Sequence, residues 1–217
     1  MTEPRIAGDI FAEPQDNPRT GGTSTLLGLP TSLPLVLDLD GTLIRGDLLY
    51  LSFFSILRRN PLIVVACAAW LTRGRAALKH QLARRQCIDW SRIELQQDVV
   101  ALAEREKAAG RRVVLATAAD ALLANQLASR LPWLDDVLAS DGAHNLKGPN
   151  KAGLLLKRFP GGFIYAGDSA SDLAVWAHAA GIITVNAREA LRAAVSALGR
   201  PTLHLPDRGR GEILTAS

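Results

Sequence analysis

Apolar positions along this 217-residue chain fall into two kinds of segment. Short continuous runs, Leu35–Leu37, Val113–Thr117, Val137–Ser140, Phe163–Asp168 and Ile182–Val185, have the length and β-branched content of buried strands. Between them lie stretches with helical spacing: Ala119–Arg130, Lys151–Arg158 and Asp172–Ala180. A much longer helical region runs from Asp47 to Ala109, punctuated by Pro61, Gly74 and Asp89. Its last helix is expected to open on the capping box Ser91-x-x-Glu94 and to stop at Gly110, a residue suited to the left-handed cap position. Strands alternating with helices predict an α/β fold, a doubly wound, mainly parallel sheet with right-handed crossovers. Residues 47–110 exceed a normal crossover and are expected to form a small helical cap inserted between strands one and two.

Composition adds boundaries to this pattern. The first 30 residues hold four Pro and four Gly with no regular apolar period, so 1–32 reads as a disordered leader, without the charged start and apolar run of a signal peptide. The core is expected at 33–46 and 111–205, with 206–217 as a tail. Cys67 and Cys87 have neither disulfide-framework nor zinc-site spacing, and a reducing cytoplasm is the simplest address. The formal charge is +4, but the leader carries −2, which leaves +6 on the remainder. Between Leu48 and Ile88 stand Arg58, Arg59, Arg73, Arg75, Lys79, Arg84 and Arg85 with no acidic residue. The same segment contains two apolar runs, Leu48–Leu57 and Leu62–Leu71, each too short for a bilayer, which needs about 20 residues. No stacking aromatics interleave the basic block in the manner of a nucleic-acid platform, so no nucleic-acid partner is expected.

Chemistry concentrates at the strand ends. Strand one terminates in Asp38-Leu-Asp40-Gly-Thr42, two carboxylates on one face whose mutual repulsion calls for a bound cation or a retained proton. Thr117 ends strand two, Lys151 opens the helix before strand four, and Asp168 and Asp172 follow strand four. In a parallel sheet these groups can converge on the crevice at the carboxyl edge. Taken singly, each has a plain reading: a turn aspartate, a structural hydroxyl, or a helix-terminal acid such as Asp172. Lys147 rivals Lys151, which is favoured because it opens the helix. His80, His144, His178 and His204 have no ligand spacing and are given no role.

Asp-x-Asp-Gly-Thr, a strand-end Thr, a Lys and Gly-Asp-x-x-x-Asp in this order resemble the haloacid dehalogenase (HAD) superfamily of phosphohydrolases, over about residues 33–205. The resemblance implies a Rossmann-like core and a phosphatase that works through an aspartyl-phosphate. Asp38 would be the nucleophile, and Asp40 the group that protonates the leaving alkoxide and then activates water. Mg2+ is the implied cofactor, held by Asp38, the Asp40 carbonyl and Asp168. Thr117 and Lys151, with Thr42 and Ala118, would hold the phosphoryl group, and Asp172 would support the metal site or orient Lys151. The second acid, Asp40, separates this chain from dehalogenase and ion-pump branches and leaves phosphatase, the preferred reading, or phosphotransferase and phosphomutase.

The cap should set the substrate. Its apolar runs and basic block suit a phosphorylated small molecule, a lipid-linked or polyprenyl sugar phosphate, or contact with an anionic membrane surface; the plain reading is a cap core with solvated cations. Asp38–Tyr50, Arg73–Lys79, Ala139–Gly142, Asn145–Gly148 and Ala166–Ser169 are similar to the HAD-like domain fused to some UbiA-type polyprenyl transferases. That likeness implies a possible membrane prenyl transferase partner, and a non-catalytic docking module as a further alternative.

Overall fold

A computed structural model describes residues 26–206 apart from Cys87 and Gly142. Six parallel strands form one sheet in the order β3-β2-β1-β4-β5-β6: β1 Leu35–Leu37, β2 Val113–Asp120, β3 Asp136–Ser140, β4 Ile164–Gly167, β5 Gly181–Val185 and β6 Thr202–Leu205. Side chains alternate across a strand, so each apolar run feeds both faces. Leu35, Leu37, Val113, Leu115, Ile164 and Ala166 enter one core with α4 (Gln97–Ala108) and α5 (Ala121–Ala128). Val36, Val114, Ala116, Tyr165 and Ile182 enter the other with α6 (Pro149–Arg158), α7 (Leu173–Trp176) and α8 (Glu189–Ser196). The sheet is therefore doubly wound, as the alternation implies.

Three helices stand apart: α1 Leu48–Leu57, α2 Ile63–Leu71 and α3 Arg75–Ala83, clustered around Ile56, Ile63 and Leu82. The expected cap range 47–110 also contains α4, but Val99, Leu102 and Ala103 of that helix are buried in the sheet's own core. The expected capping box does not form. Asp89 instead caps a single turn, Trp90–Arg92, and its carboxylate accepts from the Ser91 N–H and hydroxyl. Glu94 O then accepts from Arg45 N and Leu95 bridges Ile44, so the helix cannot begin before Gln97. Strand β2 continues through Ala119 to Asp120, where a helix start was expected, and α8 and β6 extend the fold beyond the fifth strand.

Residues 26–32 correct the expected leader, the remainder of which lies outside the described residues. Leu26 is buried against the sheet and Leu27 and Leu29 pack beside it. Arg111 fixes this segment, donating to Pro30 O at 2.7 Å, Leu33 O at 2.6 Å and Leu29 O at 3.1 Å, while its Nε meets Glu106 Oε2 at 2.9 Å. Both side chains of that ion pair are fully buried. Breaking a buried pair costs far more than the pair contributes, because the remaining charge keeps its desolvation penalty. Arg111→Ala is therefore expected to lower unfolding free energy by about 3–5 kcal/mol, measured by urea denaturation, with the segment preceding β1 becoming protease-sensitive.

Candidate active site

The sheet register brings three strand ends level. Leu37 pairs with Leu115 on one side and Ala166 on the other, so Asp38, Ala116 and Gly167 follow at one height. Gly41 turns the chain after β1 with φ +77°, and a Cβ there would sit 2.1 Å from Asp168 Oδ2. Only glycine supplies both the left-handed backbone and the space for that carboxylate.

Asp38, Asp168 and Asp172 present oxygens within 4.8 Å of one another. Lys151, in the first turn of α6, is the cation among them: its Nζ donates to Asp38 Oδ1 at 2.6 Å and to Tyr165 Oη at 2.7 Å, and lies 3.9 Å from Asp172 Oδ1. Tyr165 Oη in turn donates to Asp172 Oδ1 at 2.8 Å. The second Asp172 oxygen accepts from Ser169 N and Oγ, both at 3.1 Å, which closes the loop after β4. Burial and the neighbouring Asp38 and Asp172 charges push the Tyr165 hydroxyl well above its ordinary range, so it remains a donor. Burial also raises Asp38, against the opposing pull of Lys151. Asp168 is pushed up to about 7 by burial first and then by the Asp38 and Asp172 charges.

Asp40 stands apart from this network. Its Oδ1 accepts from Leu48 N at 2.8 Å, the first residue of α1, and burial pushes its carboxyl up to about 7 despite that bond. Two cavities, of about 410 and 520 Å³, both reach Asp40 and Asp47; the second also touches Gly41 and Asp168. The first lies between cap and sheet. Lys79 crosses that gap, donating to Ala118 O at 2.6 Å and Asn145 Oδ1 at 3.4 Å, and burial holds its ammonium below the usual lysine range. Beside it His80 Nδ1 meets the buried Asp120 Oδ2 at 2.9 Å.

Thus Asp38, Lys151, Asp168 and Asp172 are brought into one network. Thr117 is buried with its Oγ1 accepting from Ala119 N at 2.9 Å, and the Ala118 carbonyl accepts from Ser140 Oγ as well as Lys79. Thr42 Oγ1 is buried with no hydrogen-bond partner among the described residues, an orphaned hydroxyl two positions after Asp40. Lys147 is exposed and lines the first cavity, whereas Lys151 sits on Asp38. Sequence reasoning missed Tyr165, Lys79 and the His80–Asp120 pair. Tyr165 reads as a core aromatic within an apolar strand, and the other two act across 39 and 40 residues of chain.

Residues 35–176 match the model of the haloacid dehalogenase-like hydrolase family, and the chain belongs to that family. A Sinorhizobium fredii protein described as uncharacterised, y4nM, is 39% identical over 153 residues; these are 70% of this chain and 30% of that protein, so the chain spans less than a third of its relative's length. Among solved structures, a Bordetella pertussis protein of unknown function matches with TM-score 0.60 and 16% identity over 79% of this chain and 98% of its own. A phosphoserine phosphatase in apo form matches with TM-score 0.56 and 16% identity over 82% of this chain and 94% of its own. These likenesses are likenesses of fold.

Three converging carboxylates, of which Asp38 and Asp168 have raised proton affinity, offer oxygen-only donors that fit a hard divalent cation such as Mg2+. Because the folded-state pKa of Asp40 and Asp168 is raised above the ordinary 3.8 to about 7, protonation favours the fold. That contribution is full below about pH 4 and is lost as pH rises through about 7. In chelator, the thermal midpoint is expected to fall between about pH 5 and pH 8, and Mg2+ is expected to raise it more at the higher pH. Differential scanning fluorimetry at both pH values, with and without Mg2+, reads the effect.

Proposed function

We propose that this chain is a magnesium-dependent phosphatase that hydrolyses a phosphate monoester through an aspartyl-phosphate on Asp38. The observation that carries the proposal is the division of labour between two aspartates two positions apart. Asp38 is paired to the Lys151 ammonium at 2.6 Å, while Asp40 accepts from Leu48 N–H at 2.8 Å and its carboxyl is pushed by burial up to about 7. A carboxylate beside a fixed cation can attack phosphorus; a carboxylic acid can protonate the departing oxygen.

In the first step an Asp38 oxygen bonds to phosphorus as the ester P–O bond breaks, and Asp40 gives its proton to the leaving oxygen. In the second, Asp40, now ionised, takes a proton from water as that water attacks the phosphorus, and the Asp38–phosphorus bond breaks to release phosphate. Lys151, Thr117 and the orphaned Thr42 hydroxyl hold phosphoryl oxygens, with Ala118 at the adjoining backbone. Asp172 is a positioning residue that acts through Tyr165 and the Ser169 loop. Asp38, the Asp40 carbonyl and Asp168 would hold Mg2+, which when bound would supply positive charge to offset that of the nucleophile and the phosphate dianion. The first cavity sets Leu49, Leu71 and Leu78 beside Arg75, Lys79 and Lys147, which supports a phosphorylated substrate with an apolar part, such as a lipid-linked sugar phosphate.

Hydrolysis of an aryl phosphate in Mg2+ tests the chemistry. Asp38→Asn is expected to abolish turnover and Asp40→Asn to slow it by about 10²–10⁴-fold. Undiminished activity in Asp38→Asn would sink the mechanism.

A further inference from the structure

Helix α2, Ile-Val-Val-Ala-Cys-Ala-Ala-Trp-Leu, contains no charged or strongly polar residue in nine, yet only one side of it is covered. Ile63, Ala66, Cys67 and Trp70 face the cap interior, whereas Val64, Val65, Ala68, Ala69 and Leu71 occupy an arc of the opposite side and stand exposed. At 100° per residue those five positions share one face. A helix that is apolar all round belongs in a core or at a membrane, not half in water. Of the ten large apolar side chains exposed among the described residues, seven lie between Tyr50 and Leu71, including Leu62 at 75% and Val65 at 71%.

Charge selects the occupant. Arg58 precedes α2 and Arg73 follows it, both exposed, and no acidic residue occurs from Leu48 to Ile88. A protein partner would need to supply both an apolar groove and acids at each end; an anionic bilayer presents hydrocarbon flanked by negative headgroups everywhere. Nine residues span only about 14 Å against a hydrocarbon core of about 30 Å, and cations at both ends hold the helix flat. No helix among the described residues is long and apolar enough to cross a membrane. We infer that α2, with the Leu62 turn and its flanking arginines, is an interfacial element that docks this protein on anionic membrane surfaces. Tyr50 and Leu71, exposed members of the same apolar set, also line the first cavity, so docking brings the cavity entrance beside the headgroups.

The inference does not depend on phosphatase activity and is read without substrate. The full chain should co-sediment with phosphatidylcholine vesicles containing phosphatidylglycerol, not with phosphatidylcholine alone, and high salt should release it. Val65→Asp, and separately Arg58→Glu with Arg73→Glu, should weaken vesicle binding by about tenfold or more. Circular dichroism and the thermal midpoint of these surface variants should match the parent. Absence of anionic-vesicle binding, or binding indifferent to these substitutions, overturns the inference. So does a concentration-dependent dimer that Val65→Asp abolishes while vesicle binding is absent, which assigns the face to a second copy of the chain.

Discussion

One buried ammonium serves three carboxylates. Lys151 can reach Asp38 and lies near Asp172, but Asp168 shares the same enclosure, so the cluster holds more potential negative charge than its own cation balances. Protons, a divalent cation or a substrate-linked rearrangement must make up the difference, and the proton affinity of Asp168 is raised by burial and then by the Asp38 and Asp172 charges. Much of the surrounding construction follows. Gly41 leaves room for the Asp168 carboxylate, and a Cβ on Gly167 would sit 2.7 Å from Asp172 Cγ. Tyr165, kept protonated by burial and by the charges it faces, converts one Asp172 oxygen into a support for Lys151.

The sequence made the frame of this arrangement legible because strands and the carboxylates at their ends obey short-range rules. A run such as Leu35–Leu37 followed by Asp-x-Asp-Gly fixes a strand, its exit and its chemistry within ten residues. The order of the motifs along the chain then implies the parallel topology that unites them. Illegible features arise from partners remote in sequence. Arg111 is one of two adjacent arginines before a strand, and only the fold shows it buried on Glu106 and clasping the chain before β1. Ser91 and Glu94 match a capping pattern, but a nearer acid, Asp89, captures the serine, and the loop after β1 claims the Glu94 backbone. Strand β6 escapes notice because Thr-Leu-His-Leu is short and mixed; its place comes from pairing with β5, where His204 Nδ1 lies 2.6 Å from Thr184 Oγ1.

The cap and the sheet meet where β2 loses regularity. Its register against β3 shifts between Thr117 and Asp120, and this irregular end carries the two bridges from α3: Lys79 to Ala118 O and His80 to Asp120. Thr117, the proposed phosphate ligand on this strand, is held within the same few residues through Ala119 N–H. Any displacement of α3 therefore pulls on the backbone beside the proposed phosphate site. Leu48 N–H makes the corresponding link from α1 to Asp40. Both the proposed proton donor and one wall of the proposed phosphate site are thus tethered to cap helices, which makes cap position a variable for the proposed site's geometry. An apolar cap face with basic flanks exposes that variable to whatever the cap rests upon. The packed cluster of Ile56, Ile63 and Leu82 joins α2 to α1 and α3, and Leu71 of α2 itself lines the first cavity. Both connections from α2 toward the proposed site are made of packed side chains outside the charged network around Lys151.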